Sequence, residues 1–356
     1  MIAVTGGGTG GHIFPNVAVI EELKKLGVSP ICWIGDHRGK EREWSRTLGV
    51  SFYGIRTGKL RRYVSLKNLA DLFNVLIGIV QSYRVLRKNR PSVLFSKGGF
   101  VSVPPAIAAH ALHIPIVTHE SDMHPGMATR IIAKRARAVC VSFELSKAFF
   151  AGKEVHFTGN PMREAIRKGN RDGGLRFLGF AEALPVVTLL GGSLGASSLN
   201  EAVFCMLGEH ELPFNLVHQC GQGHGRPVAN THGRYRQFEF IAGEMGDVMA
   251  ASDLVISRAG AGALYEIGLL GAPSILIPLP KSKSRGEQID NALYFKEHGA
   301  SEVIEDGELN GRLLFESITS LLSDRKLLAK MGRCAASLCR RDAEVEIAHI
   351  LMGFLQ

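Results

Sequence analysis

Met1-Ile2-Ala3-Val4-Thr5-Gly6-Gly7-Gly8-Thr9-Gly10-Gly11-His12 opens the chain, and its reading decides the fold. A short apolar run entering a glycine-rich stretch predicts a strand and then a loop whose backbone approaches another group closely. Glycine alone adopts φ > 0 without strain. The residues from Phe14 to Leu26 then read as a helix. A strand, a glycine loop and a helix start together aim free N–H groups and the positive end of a helix dipole at an anion, a phosphate or diphosphate. Gly6-x-Gly8-x-x-Gly11 formally fits a dinucleotide fingerprint, whereas the Lys-Ser/Thr ending of an ATP-type loop is missing. His12, at the mouth of the loop, is required by neither motif. It reads either as a helix-entry residue or as a base suited to work near neutral pH.

Outward from this unit, apolar runs recur at 30–35, 92–96, 114–118 and 138–142, separated by helix-length segments. Continuous apolar strands between helices predict a parallel sheet covered on both faces. Ligands in such sheets sit at the carboxyl ends of the strands. The glycine loop, Lys97-Gly98-Gly99-Phe100 and His119-Glu120-Ser121-Asp122 all fall there.

The design repeats from Pro185, where an apolar run enters Gly191-Gly192-Ser193-Leu194-Gly195-Ala196, with further runs at 216–218, 254–257 and 274–278. The fold class is therefore α/β, with two doubly wound parallel-sheet domains facing across a cleft. We place them at 1–159 and 160–334, joined near Gly159-Asn160-Pro161, with a closing amphipathic helical segment that returns to the first domain from about 335 to 356. Ser193 reads as a phosphate-gripping hydroxyl or as a turn serine. Arg163 reads as a phosphate clamp or as a surface charge. Ser257 to Ala263 is a third small-residue loop at a helix start. Glu266 on that helix suits the vicinal hydroxyls of a ribose or simply the helix dipole. Gln288 could bind a hydroxyl-rich ligand.

Composition narrows the class. The 356 residues are 46% hydrophobic and 21% charged, as in a globular protein of two ordinary domains. No secretory signal and no membrane-spanning run is expected, because the longest apolar stretch, Leu72 to Val80, is far short of the ~20 residues a bilayer requires. Six scattered cysteines without a CxxC pair read as reduced thiols rather than metal ligands. No Asp-x-Asp, no metal-spaced cluster and no nucleophile elbow is present, so neither a metal nor another cofactor is expected. The net charge of +9 suits nucleic acid, an anionic membrane or a phosphorylated substrate. Between 56 and 90, basic residues (Arg56, Lys59, Arg61, Arg62, Lys67, Arg84, Arg87, Lys88, Arg90) bracket a helix-spaced apolar stretch. That pattern fits a helix lying on an anionic membrane surface, or a core helix. Interleaved stacking aromatics are missing, which argues against nucleic acid.

Taken in order, GGGTGGH, SKGGFVSVPP, HESDMHPGMA, GNPMR, GGSLGA, SRAGAGALYE and RGEQIDNA resemble the MurG family of glycosyltransferases over nearly the whole chain. The resemblance implies a GT-B fold and inverting transfer of N-acetylglucosamine from UDP-N-acetylglucosamine to the C4 hydroxyl of undecaprenyl-diphosphate-linked muramoyl-pentapeptide, in peptidoglycan synthesis. It also implies a peripheral place on the cytoplasmic face of the cell membrane, held through 56–90, with cell-wall synthesis proteins as possible partners. By motif, it implies His12 as the base and Thr9, Gly10 and Gly11 against the donor. Arg163 and Ser193 match donor-binding positions, Ile241 the uracil reader, Glu266 the ribose site and Gln288 the donor sugar. Gly8, Gly98 and Gly99 match the acceptor diphosphate site.

The chain departs from the family pattern in places. The common HEQN reads His119-Glu120-Ser121-Asp122, so a donor-binding Asn becomes Asp122. A carboxylate beside a diphosphate is unfavourable unless it turns to a sugar hydroxyl or a positive partner. Ala263 replaces a common Thr, and one residue is inserted shortly after Ile241. Three rivals stay open on the residues: a dinucleotide oxidoreductase using Asp36, a phospholipid-binding protein without activity, and a related glycosyltransferase with another lipid or glycoside acceptor. UDP, but not NAD, should raise the melting temperature of a UDP-sugar enzyme.

Overall fold

The computed structural model describes residues 1–58, 66–192, 195–229, 231–284 and 286–355, with backbone alone for 66–70. The chain divides into two compact units, Met1–Arg163 with Arg340–Gln356, and Glu164–Cys339.

In the first unit the chain runs β1 (Ile2–Thr5), α1 (Gly10–Lys25), β2 (Ile31–Asp36), α2 (Glu41–Thr47), β3 (Ser51–Ile55), α3 (Leu66–Asn89), β4 (Val93–Ser96), α4 (Val103–Ala111), β5 (Ile116–Glu120), α5 (Met127–Ala133), β6 (Ala138–Val141) and β7 (Glu154–Phe157). The strands form one parallel sheet in the order β3-β2-β1-β4-β5-β6-β7. Strands β1, β4, β5 and β6 are buried at every residue, as the apolar runs of β1, β4 and β6 require, while β5 also buries its polar end, Thr118-His119-Glu120. The edge strands β3 and β7 are half-exposed and carry no such run. That is why the hydrophobic pattern did not announce them.

The second unit runs α6 (Glu164–Arg167), α7 (Arg171–Leu178), β8 (Val186–Leu190), α8 (Ser197–Glu209), β9 (Asn215–Gln219), β10 (Tyr235–Phe238), α9 (Met245–Ala251), β11 (Leu254–Ser257), α10 (Ala261–Leu270), β12 (Ser274–Leu276), α11 (Glu287–Glu297), β13 (Ser301–Val303), α12 (Gly311–Ser323) and α13 (Arg325–Leu338). Its sheet is again wholly parallel, in the order β10-β9-β8-β11-β12-β13. One face of this sheet is sealed by Leu199, Val203 and Met206 of α8 and Leu314, Ile318 and Leu321 of α12. Residues 325–339 stay with this unit, where Cys339 packs against Gly268 of α10. Only from Arg340 does the chain return to the first unit, where α14 (Ala343–Met352) lays Ile347, Ala348 and Leu351 against Ile13, Val17 and Ile20 of α1.

Both sheets share one plan. In each, the strand order reverses beside the first strand, between β1 and β4 and between β8 and β11. Each glycine loop leaves that first strand, so both loops occupy the crevice where open α/β sheets take ligands.

Candidate active site

In the first unit the glycine loop is shaped by what lies behind it. Gly6 and Gly8 have φ of 145° and 82°, conformations that favour glycine. The Glu41 carboxylate fills the space beside Gly7, Gly35 and Gly39, so a Cβ at any of them would overlap it. Glu41 accepts hydrogen bonds from the N–H groups of Asp36 (2.8 Å) and Gly8 (3.4 Å). Burial pushes its carboxyl above the usual range, despite those backbone donors. In front, Gly8, Thr9 and Gly11 are exposed.

The second glycine loop meets this one through His12. At Gly99 (φ 77°) an added Cβ would lie 2.9 Å from His12 Cδ2 and 3.0 Å from Nε2. The half-buried imidazole is therefore laid flat against bare backbone, which brings His12, Gly98 and Gly99 into one site. Behind them, His119 is fully buried and donates from Nε2 to the Gly159 carbonyl at 2.8 Å. Burial, then the nearby Lys97 charge, hold its pKa well below 6.5, so the ring is neutral. Glu120 folds the following loop around itself, accepting from the N–H groups of Ser121 (2.9 Å), Asp122 (3.1 Å) and Gly126 (3.0 Å). Asp122, at the turn of that loop, is half-exposed. Arg163 ends this unit with its guanidinium 4.2 Å from the Phe14 ring centre, stacked on α1.

In the second unit, the helices that follow small-residue loops start without help. The N-cap residues of α8 and α10, Ala196 and Gly260, make no side-chain cap hydrogen bond, and neither helix has an acid in its first turn. The same is true of Thr9 and α1. By contrast α7, α12 and α13 are capped by Asn170, Asn310 and Asp324. Uncapped N–H groups at the starts of α1, α8 and α10 are available to an anion, although α9 and α11 of the second unit also start without a side-chain cap.

The other expected donor residues lie at the same strand ends. Glu266 is half-exposed on α10. Ile241 is buried, and its N–H donates to Gln219 Oε1 at 2.9 Å. Gln288 accepts from the Leu279 N–H at 3.1 Å, which ties α11 to the loop after β12. Ser193 lies outside the described residues. Arg258, in the third small-residue loop, does not serve as an open anion clamp. Its guanidinium bonds Asp306 Oδ1 (2.6 Å), Ser198 Oγ (2.7 Å) and the Ile277 carbonyl (3.0 Å), pinning several strand-end loops together.

Comparison with known proteins decides the family. The model of the glycosyltransferase family 28 N-terminal domain matches residues 2–141, and that of the family's C-terminal domain matches 186–347. The chain belongs to glycosyltransferase family 28. Among curated relatives, a Treponema pallidum protein named UDP-N-acetylglucosamine--N-acetylmuramyl-(pentapeptide) pyrophosphoryl-undecaprenol N-acetylglucosamine transferase is 42% identical over 100% of this chain and 96% of its own length. A protein of the same name from Lachnospira eligens is 45% identical over 91% of each. The crystal structure of Acinetobacter baumannii MurG superposes with a TM-score of 0.76 at 25% identity, over 99% of both chains. The MurG resemblance read from the motifs and the GT-B fold are thus borne out.

Two residues of this family 28 glycosyltransferase that motif reading did not single out are Glu41 and Lys97. Glu41 carries no local signal, since its target loop is 33 residues away. Lys97 did have one: it directly precedes Gly98-Gly99, and its burial could not be known before the sheet was assembled.

Proposed function

We infer that this family 28 glycosyltransferase moves N-acetylglucosamine from UDP-N-acetylglucosamine onto undecaprenyl-diphosphate-linked N-acetylmuramoyl-pentapeptide, the lipid I to lipid II step of peptidoglycan synthesis. The observation that carries this is the match of the whole chain, at 42% identity, to a relative bearing that name.

The residue roles below are our reading of the site. His12 takes the proton of the muramoyl C4 hydroxyl as that oxygen attacks the anomeric carbon. The new C–O bond forms as the bond to UDP breaks, and the sugar inverts. Gly8, Gly98 and Gly99 give the acceptor's diphosphate exposed or close-packed backbone to approach. Thr9, Gly10 and Gly11 face the donor near its sugar. In the second unit Ile241 reads uracil, Glu266 holds the ribose hydroxyls and Gln288 the sugar. Ser193, the open helix starts of α8 and α10, and Arg163 meet the charge of the departing UDP. Fixed dipoles aimed at developing charge are a large source of catalysis.

We place the enzyme peripherally on the cytoplasmic face of the membrane through α3. Among the described residues no helix is long and apolar enough to cross a membrane. Leu72, Phe73, Leu76, Ile77 and Val80 nevertheless form an exposed stripe on α3, with Phe73 58% exposed, and Arg84, Arg87 and Lys88 continue it. An apolar stripe ending in cations suits an anionic lipid surface. Lys59, Arg61 and Arg62 of the same segment lie outside the described residues.

The test of the function is transfer of labelled sugar from UDP-N-acetylglucosamine to the lipid-linked muramoyl-pentapeptide, with EDTA present. Labelled disaccharide lipid is expected. No transfer while UDP still binds would move the acceptor to another lipid or glycoside.

A further inference from the structure

The second unit carries a cavity at the sheet edge away from its small-residue loops. The cavity holds about 690 Å³ and is lined in part by Pro185, Asp253 and Pro273, which immediately precede β8, β11 and β12. The loops read here as donor-binding follow the opposite ends of β8 and β11, so the cavity is no part of the site described above. Its volume falls within the roughly 300–1,000 Å³ usual for small-molecule sites. One wall is α13, whose Arg325, Leu328, Ala329, Gly332, Arg333 and Ala336 recur along it at helical spacing. Gly332 lets this helix close on the turn after α10, since a Cβ there would lie 2.3 Å from the Gly271 carbonyl oxygen. Small side chains thus keep the space between the two arginines open.

The charges in this lining do not balance. Arg171, Arg325 and Arg333 face a single carboxylate among the described lining residues, Asp253. Asp253 is already committed, accepting from Arg171 Nη2 at 3.1 and 3.2 Å and from the Val186 N–H at 2.8 Å. Among the described residues, the guanidinium groups of Arg325 and Arg333 have no hydrogen-bond or ion-pair partner. Their helix adds Lys326 and Lys330 and has no acid from Arg325 to Leu338. Asp324, its N-cap, is engaged by the Leu327 N–H at 2.9 Å. A helix dipole disfavours cations in the first turn, so Arg325 and Lys326 are not placed there for the helix's own stability.

We propose that this cavity is a second anion site, which takes a soluble phosphate-bearing molecule between Arg325 and Arg333. Two uncompensated cations call for about two negative charges in one compact group, which a phosphate supplies and a single carboxylate does not. The guanidinium fork matches phosphate oxygens in geometry. The two arginines lie about two helical turns apart, roughly 12 Å along the axis, so a diphosphate between them is reached from both sides. Leu184 and Leu328, also in the lining, offer apolar surface to the rest of the molecule.

The experiment is a calorimetric titration of the full chain with inorganic pyrophosphate, with UDP at saturation so that the proposed donor site is filled. Binding is expected, and Arg325→Ser combined with Arg333→Ser should weaken it at least about tenfold, the loss of one charge-assisted hydrogen bond or more. Both residues are exposed, so this variant should fold. Lys326→Ser combined with Lys330→Ser removes the same charge from the same helix outside the cavity lining, and should leave the affinity within twofold. Three results would overturn the proposal: no binding by the unaltered chain, an affinity that the arginine variant leaves within twofold, or equal losses in the two double variants. If UDP itself does not bind, the donor reading falls, and the same titration still tests the cavity.

Discussion

Gly99 and His12 show how much one missing methyl group decides. At φ 77°, and with an added Cβ 2.9 Å from the imidazole, Gly99→Ala must twist the backbone or push the ring aside. Left-handed backbone costs a non-glycine residue roughly 1–2 kcal/mol, a modest loss of stability. A ring displaced by about 1 Å can cost on the order of 10²-fold in rate. We expect Gly99→Ala to melt within several degrees of the unaltered chain and yet transfer sugar far more slowly. His12→Ala should lower turnover by roughly 10²–10⁴-fold if the imidazole is the base. Near-normal turnover in that variant would refute the assignment. In the second unit His218, fully buried, has Nδ1 2.9 Å from the Tyr235 hydroxyl and donates from Nε2 to Asn200 Oδ1 (2.9 Å). Burial pushes its pKa from 6.5 down to about 4. The unfolded chain therefore binds a proton that the folded ring refuses, and stability falls as pH drops from 6.5 towards 4. The loss is on the order of 3 kcal/mol. Denaturant titrations at pH 7 and pH 5 should show about 2 kcal/mol of this drop, and His218→Gln should flatten it; His119 contributes with the same sign in the first unit.

At the scale of elements, α3 offers the plainest prediction. Leu72→Glu with Leu76→Glu changes exposed side chains, so folding should be spared. Co-sedimentation with anionic vesicles should fall several-fold in this variant, and equal binding would remove α3 from the membrane surface. Elements also explain what could be read in advance. The central strands were legible, because a strand buried on both faces must be apolar throughout, as in Val93–Ser96 and Val186–Leu190. The edge strands Ser51–Ile55, Glu154–Phe157, Tyr235–Phe238 and Ser301–Val303 were not, since partial exposure relaxes that demand. In the candidate site, the glycine loops were legible because φ > 0 leaves little choice of residue. Lys97, Glu41 and the pinned Arg258 were not. Their roles depend on partners such as Ser121, Gly8 and Asp306, brought near only by the assembled sheets.

For the molecule as a whole, the same sheet plan is used twice, and each copy puts its glycine loop at its own switch point. The copies are not equally independent. The first is interrupted in sequence by the second, and it recovers its last helix only after residue 340. That helix buries Ile347 and Leu351 completely, and each such side chain is worth about 1.5–3 kcal/mol. A chain ended after Cys339 should therefore melt in two steps, with the first unit far less stable and UDP still protecting the second. One consequence reaches back to synthesis. Although β1 precedes the whole second unit in sequence, the unit that carries His12 cannot seal its core during synthesis until the residues of α14 emerge. The second unit can finish earlier, so, with the donor site assigned as we propose, an interrupted message would yield a protein able to hold UDP but unable to spend its sugar.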